Sequence, residues 1–187
     1  MDGTAGGRAC VDQELYDVIT KAKSGDKEAF AILVKRYKDI VFRYSYGMLA
    51  DRMEAEDVSQ EAFVKAFYSL SKLDNIYAFV SWLKRIVSNL CFDRIQKQKK
   101  TNSVSGELIE TQISNNDMER RDLRMTIEEA MGNLSPEHRE AIVLREIEGY
   151  SYDEISGMLN IPLGTVKSRI SAARLLLRKE MIRELED

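Results

Sequence analysis

The chain has 187 residues, room for one or two small domains with modest cores. Its 44% apolar and 32% charged residues, with only 10 glycines and 2 prolines, fit a soluble helical protein better than a β-rich one. A formal net charge of −3 argues against a uniformly basic nucleic-acid binder, and no apolar run reaches bilayer-spanning length.

The N-terminus lacks the basic start and apolar stretch of a signal peptide, so a cytoplasmic location is expected. The two cysteines, Cys10 and Cys91, then read as reduced thiols. Residues 1–11 are Gly-rich and aperiodic and are expected to form a disordered leader. Helical patterning begins near Asp12 with Leu15, Val18 and Ile19. A Ser24-Gly25-Asp26 break follows, with Asp26 placed to cap a longer helix carrying Phe30, Leu33, Val34, Tyr37, Val41 and Tyr44.

A third helix is expected from Glu54 to about Ser71, burying Val58, Ala62, Ala66 and Leu70. Residues 51–61 hold Arg52 against five carboxylates, a local charge of −4. Asp57, Gln60, Glu61 and Lys65 lie on its outer side. No His or Cys stands nearby, so no metal site is read here. The choice is between a solvated helix N-terminus, favoured by the dipole, and a dock for a basic partner.

Residues 72–78 read as a loop before a fourth helix from Phe79 to about Lys99, with Phe79, Leu83, Ile86 and Leu90 as its apolar stripe. A second stripe runs through Trp82, Arg85, Asn89, Asp93 and Gln96. Residues 82–100 carry six cations against Asp93, a local charge of +5. An aromatic beside Arg and Asn, continuing into Lys97, suits unstacked bases and phosphates, although a lone Trp82 more often belongs to a core.

Residues 101–121 lack a sustained period and read as a linker. Pattern resumes near Leu123 with Met125, Ile127, Ala130 and Met131, and stops at Gly132-Asn133. Ser135 and Pro136 then open a helix with Ala141, Val143, Leu144 and Ile147 on its apolar side, ended by Gly149. Ser151 and Glu154 are spaced as a capping box. From Glu154 to Ala173 two amphipathic segments flank Asn160 and Pro162, with Thr165 expected to cap the second. Ile155, Met158, Leu159, Val166, Ile170, Ala173 and Leu177 face inward, which leaves Lys167, Ser168, Ser171, Arg174 and Arg178 outward in a helix-turn-helix layout.

These motifs resemble the bacterial RNA polymerase sigma factors of the extracytoplasmic-function (ECF) group. The region-2 pattern appears as Ala55-Glu56-Asp57-Val58, Gln60-Glu61-Ala62-Phe63, Phe79, Ser81-Trp82-Leu83, Arg85-Ile86, Asn89 and Asp93-Arg94. The region-4 pattern appears as Leu134-Ser135-Pro136, Arg139, Val143-Leu144, Gly149-Tyr150-Ser151-Tyr152, Glu154-Ile155 and Gly164-Thr165-Val166-Lys167-Ser168-Arg169.

The resemblance implies an all-α chain of two helical domains, residues 12–100 and 122–187, with no cofactor and no covalent chemistry. By it, Asp57, Gln60, Glu61 and Phe63 would dock on core RNA polymerase. Asn75, in the loop from Leu73 to Ala78, and Trp82, Arg85, Asn89, Asp93, Arg94 and Lys97 would read the minus-ten element of promoter DNA as a single strand. Thr165, Lys167, Ser168, Arg169, Ser171 and Arg174 would read the minus-thirty-five element as duplex, and an anti-sigma factor would be a further partner.

Ser171-Ala172, Gln96 and Ser59 depart from the usual pattern, which bears on promoter sequence rather than on family. A helix-turn-helix regulator with no polymerase role would share the region after Leu134, and the N-terminal half separates the two. A receiver domain there would alternate strands with helices, and no such alternation is read. A metal-dependent nuclease built on Glu54, Glu56, Asp57 and Glu61 lacks further ligands.

Overall fold

A computed structural model describes residues 13–102 and 127–186, and among them every regular element is helical. The leader expected over 1–11 lies outside the described residues; of the linker expected over 101–121, residues 101 and 102 are instead helical and the rest lies outside the described residues. The described residues form two compact units, one of residues 13–46 and 51–90, the other of residues 47–50, 91–102 and 127–186.

In the first unit α1 (Gln13–Lys23) buries Leu15 and Ile19 and stops where Gly25 takes a φ of 97°. That angle suits a residue without a Cβ. The Asp26 carboxylate then caps α2 (Lys27–Leu49), accepting from the amides of Glu28 and Ala29 at 2.9 and 3.0 Å. Leu33, Tyr37, Val41 and Tyr44 are buried at three- and four-residue steps, while Val34 is only half-buried.

Helix α3 (Arg52–Ser69) starts two residues earlier than its apolar period suggests, because Asp51 accepts from the Glu54 amide at 3.0 Å. Its inner face is Ala55, Val58, Ala62 and Ala66, all fully buried. Small side chains there let α3 lie close against its neighbours. The expected loop of residues 72–78 is partly ordered as two 3₁₀ turns, Leu70–Lys72 and Ile76–Ala78. Lys23 Nζ donates to the Leu73 carbonyl at 2.5 Å, tying the end of α1 to this segment.

Helix α4 (Phe79–Asn102) buries Phe79, Leu83, Val87 and Leu90. Val87 takes the place expected for Ile86, which is half-buried. The arc of these four is centred roughly 30° further round than the apolar letters imply. Lys84, counted among the surface cations, is buried at 5% exposure with its ammonium 5.5 Å from the Tyr44 ring centroid. Its charge therefore faces an aromatic ring rather than solvent.

In the second unit α5 is described over residues 127–132, and Ile127, expected to be inward, is exposed. Ser135 caps α6 (Pro136–Ile142), accepting from the His138 amide at 3.3 Å, with Pro136 in the first turn. Arg139 is buried and donates to the Gly132 carbonyl at 2.7 Å, closing the corner between α5 and α6. Burial pushes its guanidinium down from the ordinary value, against the effect of Cys91.

A single π turn, Val143–Ile147, continues α6, and Gly149 ends it at φ 76°. Helix α7 (Tyr152–Leu159) opens with the expected capping box. Glu154 N donates to Ser151 Oγ at 3.2 Å, and Ser151 N donates to Glu154 Oε2 at 2.8 Å. Asn160 ends it in the left-handed region.

Helix α8 (Leu163–Glu186) does not open at Thr165. The Pro162 carbonyl already accepts from the amides of Thr165 and Val166 at 2.8 and 3.1 Å, so Thr165 lies inside the first turn. Val166, Ile170 and Ala173 form its buried face, with Leu177 half-buried beside them. Ile170→Ala is expected to lower stability to chemical denaturation by about 2–5 kcal/mol, the cost of a large apolar deletion in a core. Lys167→Ala, on the exposed side, should stay within about 0.5 kcal/mol of the parent chain.

Candidate functional site

Three exposed faces carry the sequence-derived candidates. On α3, Asp57 and Gln60 are exposed and Glu61 is half-exposed on the side opposite the alanine face. At about 100° per residue, Met53, Asp57, Gln60, Val64 and Tyr68 fall within an arc of roughly 80°. Met53, Val64 and Tyr68 are 79%, 55% and 77% exposed, so apolar groups share the face with the Asp57 carboxylate and the Gln60 amide. Phe63 sits roughly 60° outside the edge of that arc and is half-buried. Hydropathy periodicity passed over Met53, Val64 and Tyr68 because it assigns apolar residues inward, and here they point out.

The carboxylates of α3 do not converge. Glu56 accepts from Arg52 Nε at 3.0 Å and Glu61 pairs with Lys65 at 3.1 Å, each along the helix. Among the described residues no three His, Cys, Asp or Glu side chains form a group able to hold a metal ion.

On α4, Arg85, Asn89 and Asp93 are exposed and Trp82 is half-buried, its ring 5.9 Å from that of Phe79. The four share one arc of roughly 80°. Trp82 is thus neither core nor free, but a ring held by a core aromatic with one part left to solvent. Lys97 is exposed near the C-terminal end, whereas Arg94 turns to the adjoining face and is half-buried. Asn75 serves the backbone, its Oδ1 accepting from the Tyr77 amide at 3.0 Å to start the Ile76–Ala78 turn. The exposed aromatic of that loop is Tyr77, 67% exposed and 5.7 Å from the Tyr16 ring, which periodicity does not single out.

On α8, Lys167, Ser171, Arg174 and Arg178 are exposed at steps of four, three and four and share an arc of roughly 60°, with Ser168 beside them. Thr165 and Arg169 lie on a different side of the helix, half-buried. The charge of Arg169 is a lesser influence lowering the Glu137 carboxyl at the start of α6.

Residues 33–101 match the family model described as Sigma-70 region 2, and residues 124–177 match that described as Sigma-70, region 4. The ECF RNA polymerase sigma factor SigW of Bacillus subtilis (strain 168) is 36% identical, covering 87% of this chain and 94% of that one. The chain belongs to the ECF group of sigma factors. The RNA polymerase sigma-H factor of Pseudomonas aeruginosa is 31% identical, covering 91% of this chain and 93% of that one.

Among solved structures, CnrH in complex with the cytosolic domain of CnrY aligns with a TM-score of 0.68 at 25% identity, over 90% of this chain and 97% of that one. The sigma factor RpoE of Bartonella quintana, solved with the anti-sigma factor NepR, shares the fold. Its TM-score is 0.63 at 24% identity, over 81% of this chain and 96% of that one. Both region models fall on one chain, which disfavours a stand-alone helix-turn-helix regulator. Among the described residues no helix of this sigma factor is long and apolar enough to cross a membrane.

Two titrating groups border its helix-turn-helix. Glu137 is held below its ordinary value of 4.5, first by a hydrogen bond from its own backbone N–H, then by the Ser135 hydroxyl and by Arg169, against partial burial. A depressed carboxyl pKa contributes stability above the unfolded value and loses it as pH falls through the folded one. The stability difference between the parent chain and Glu137→Gln should therefore be constant near neutrality and shrink below pH 4.5, as measured by denaturation at stepped pH. Arg174 is raised from its ordinary value, first by its hydrogen bond to Glu146.

Proposed function

We propose that this sigma factor acts in the cytoplasm as the promoter-reading subunit of RNA polymerase, holding two DNA elements with two helical domains of about residues 12–100 and 122–187. The observation that carries the reading is the separation of opposite faces on different helices. An apolar face carrying acidic groups lies on α3, a polar stripe with one aromatic on α4, and a cationic face on α8. A net charge of −3 then coexists with local affinity for both a basic protein and DNA.

In this reading the α3 face engages a basic element of core polymerase. Asp57, Gln60 and Glu61 steer the encounter, while Met53, Val64 and Tyr68 supply apolar area. Phe63 acts from the flank. The loop carrying Asn75 and the α4 stripe of Trp82, Arg85, Asn89 and Asp93, with Arg94 and Lys97 toward its end, take the melted minus-ten strand. Trp82 and Tyr77 are the rings available for stacking.

Helix α8 enters the major groove of the minus-thirty-five element through Lys167, Ser168, Ser171 and Arg174, whereas Thr165 and Arg169, half-buried on another side of the helix, support it from behind. An anti-sigma factor is the regulatory partner, a reading supported by RpoE of Bartonella quintana, a sigma factor of the same fold that was solved bound to the anti-sigma factor NepR. We assign the chain no cofactor and no covalent chemistry.

The deciding experiment is transcription in vitro with core polymerase and a promoter library. The chain should direct initiation from a defined subset, and failure to initiate anywhere would overturn the reading. Asp57→Arg should weaken core binding by about tenfold or more, because it reverses charge at the centre of the dock. Its unfolding midpoint should not move, since Asp57 is exposed. Unchanged affinity for core enzyme would remove α3 from the interface.

A further inference from the structure

The arginine at the edge of the DNA-facing arc of α8 is already held by the protein. Arg174 donates from Nε at 3.1 Å and from Nη2 at 2.5 Å to the same oxygen, Glu146 Oε1. Glu146 lies 28 residues earlier, in the π turn that follows α6. That turn closes one residue wider than an α-helical turn, with Glu148 N donating to the Val143 carbonyl at 3.0 Å.

The neighbouring Arg145 is fixed separately. Its guanidinium donates to the Tyr150 carbonyl at 2.8 Å and lies 5.0 Å from the centroid of the Tyr152 ring. The Tyr152 hydroxyl contributes in turn to the environment of Arg174. The π turn, the start of α7 and α8 are therefore linked by side chains on their solvent side. Both members of the Glu146–Arg174 pair are about half exposed, 49% and 52%. An exposed ion pair of this kind adds little to folding stability.

Its effect on recognition is larger. A free arginine on a recognition helix swings between phosphate oxygens and base edges, and phosphate contacts carry no sequence information. A carboxylate bound to Nε and Nη2 fixes the plane of the guanidinium, lowers the local positive potential that draws phosphate, and leaves further N–H donors of the fork for one acceptor direction.

We infer that Glu146 is a specificity-determining positioning residue. Through its two hydrogen bonds it holds Arg174 for a base edge in the major groove and disfavours capture of Arg174 by the DNA backbone. The inference rests on the reading of α8 as the minus-thirty-five reader. It assigns Glu146, which touches no DNA in that reading, a part in choosing the sequence.

The test compares the full chain with Glu146→Gln, Arg174→Ala and the double variant, each assembled with core polymerase. The probes are a pool of duplexes randomised upstream of a fixed minus-ten element, and one scrambled duplex. Glu146→Gln keeps the shape and removes the charge. It should flatten the base preference at one upstream position, raise occupancy of the scrambled duplex by about threefold, and steepen the salt dependence of binding by about one ion. In the Arg174→Ala background the same change should have no effect on any of the three.

Preference and salt slope unchanged by Glu146→Gln, or changed equally with and without Arg174, would overturn the inference while leaving the promoter reading intact. A parent chain that selects no upstream sequence at all would overturn both. Equal unfolding midpoints for the parent chain and Glu146→Gln confirm that recognition rather than folding is being read.

Discussion

The backbone of Asn160 turns left-handed, with φ 54° and ψ 46°, and this single reversal sets the angle at which α8 leaves α7. An L-residue pays for that conformation unless its side chain is short and polar, which is why asparagine rather than a branched residue stands there. Ser156 locks the turn from both sides. Its carbonyl accepts from the Ile161 amide at 3.2 Å, and its hydroxyl donates to the Ile161 carbonyl at 2.6 Å. With the exit fixed, Pro162 starts α8 at once, and the buried Val166, Ile170 and Ala173 pin one side of it to the unit. The opposite side is then presented as a rigid rail, so Lys167, Ser171, Arg174 and Arg178 keep their mutual spacing without help from a ligand.

Charge follows the same logic of segregation. Over a physiological Debye length of about 8 Å, exposed charges on separate helices act almost independently, so the sum over the chain predicts little. What matters is which helix carries which sign, and whether apolar groups accompany it. On α3 they do. The inner face is reduced to alanines and one valine, which leaves Met53, Val64 and Tyr68 on the outside. An exposed helix face with apolar groups at that density is costly to solvate and gains by being covered. On α4 the outward face is polar apart from Trp82, and that ring rests on Phe79, so its position is set by the core even though part of it meets solvent.

Much of this was legible in the residues, and the exceptions share a cause. Periodicity located the helices. Local chemistry located their ends at Asp26, Ser135, Ser151 and Asn160, because a cap involves residues two to four apart. It failed at Thr165, where Pro162 had already supplied the first acceptor, and at Asp51, which caps α3 before its apolar period begins. Side-chain faces were readable as sets but not as pairs. The period of α8 puts Arg174 outward, yet nothing in a periodicity tells that Glu146 will meet it. Their meeting depends on a π turn that shifts the phase of the chain between Val143 and Ile147. Burial of Lys84 against Tyr44 has no sequence signal for the same reason, since charge is counted along the sequence and desolvation is decided in space.

The division of Arg169 from Arg174 shows how one helix serves two tasks. They are five residues apart, about 140° round the helix, so they cannot both face the same groove. Arg169 is half-buried and favours, as a lesser influence, the charged form of the Glu137 carboxylate, which is held first by a backbone N–H at the start of α6. Arg174 is exposed and takes its carboxylate from the π turn. Arg174 is thus paired with an acid just past the end of α6, whereas Arg169 adds only a weaker electrostatic influence at its beginning, and the buried Ile170 lies between the two on the helix. The buried Val166, Ile170 and Ala173 fix the depth of α8, and because they span an arc of roughly 60° they also fix its rotation. A recognition helix held in depth alone would still turn about its axis and lose register with any groove it entered.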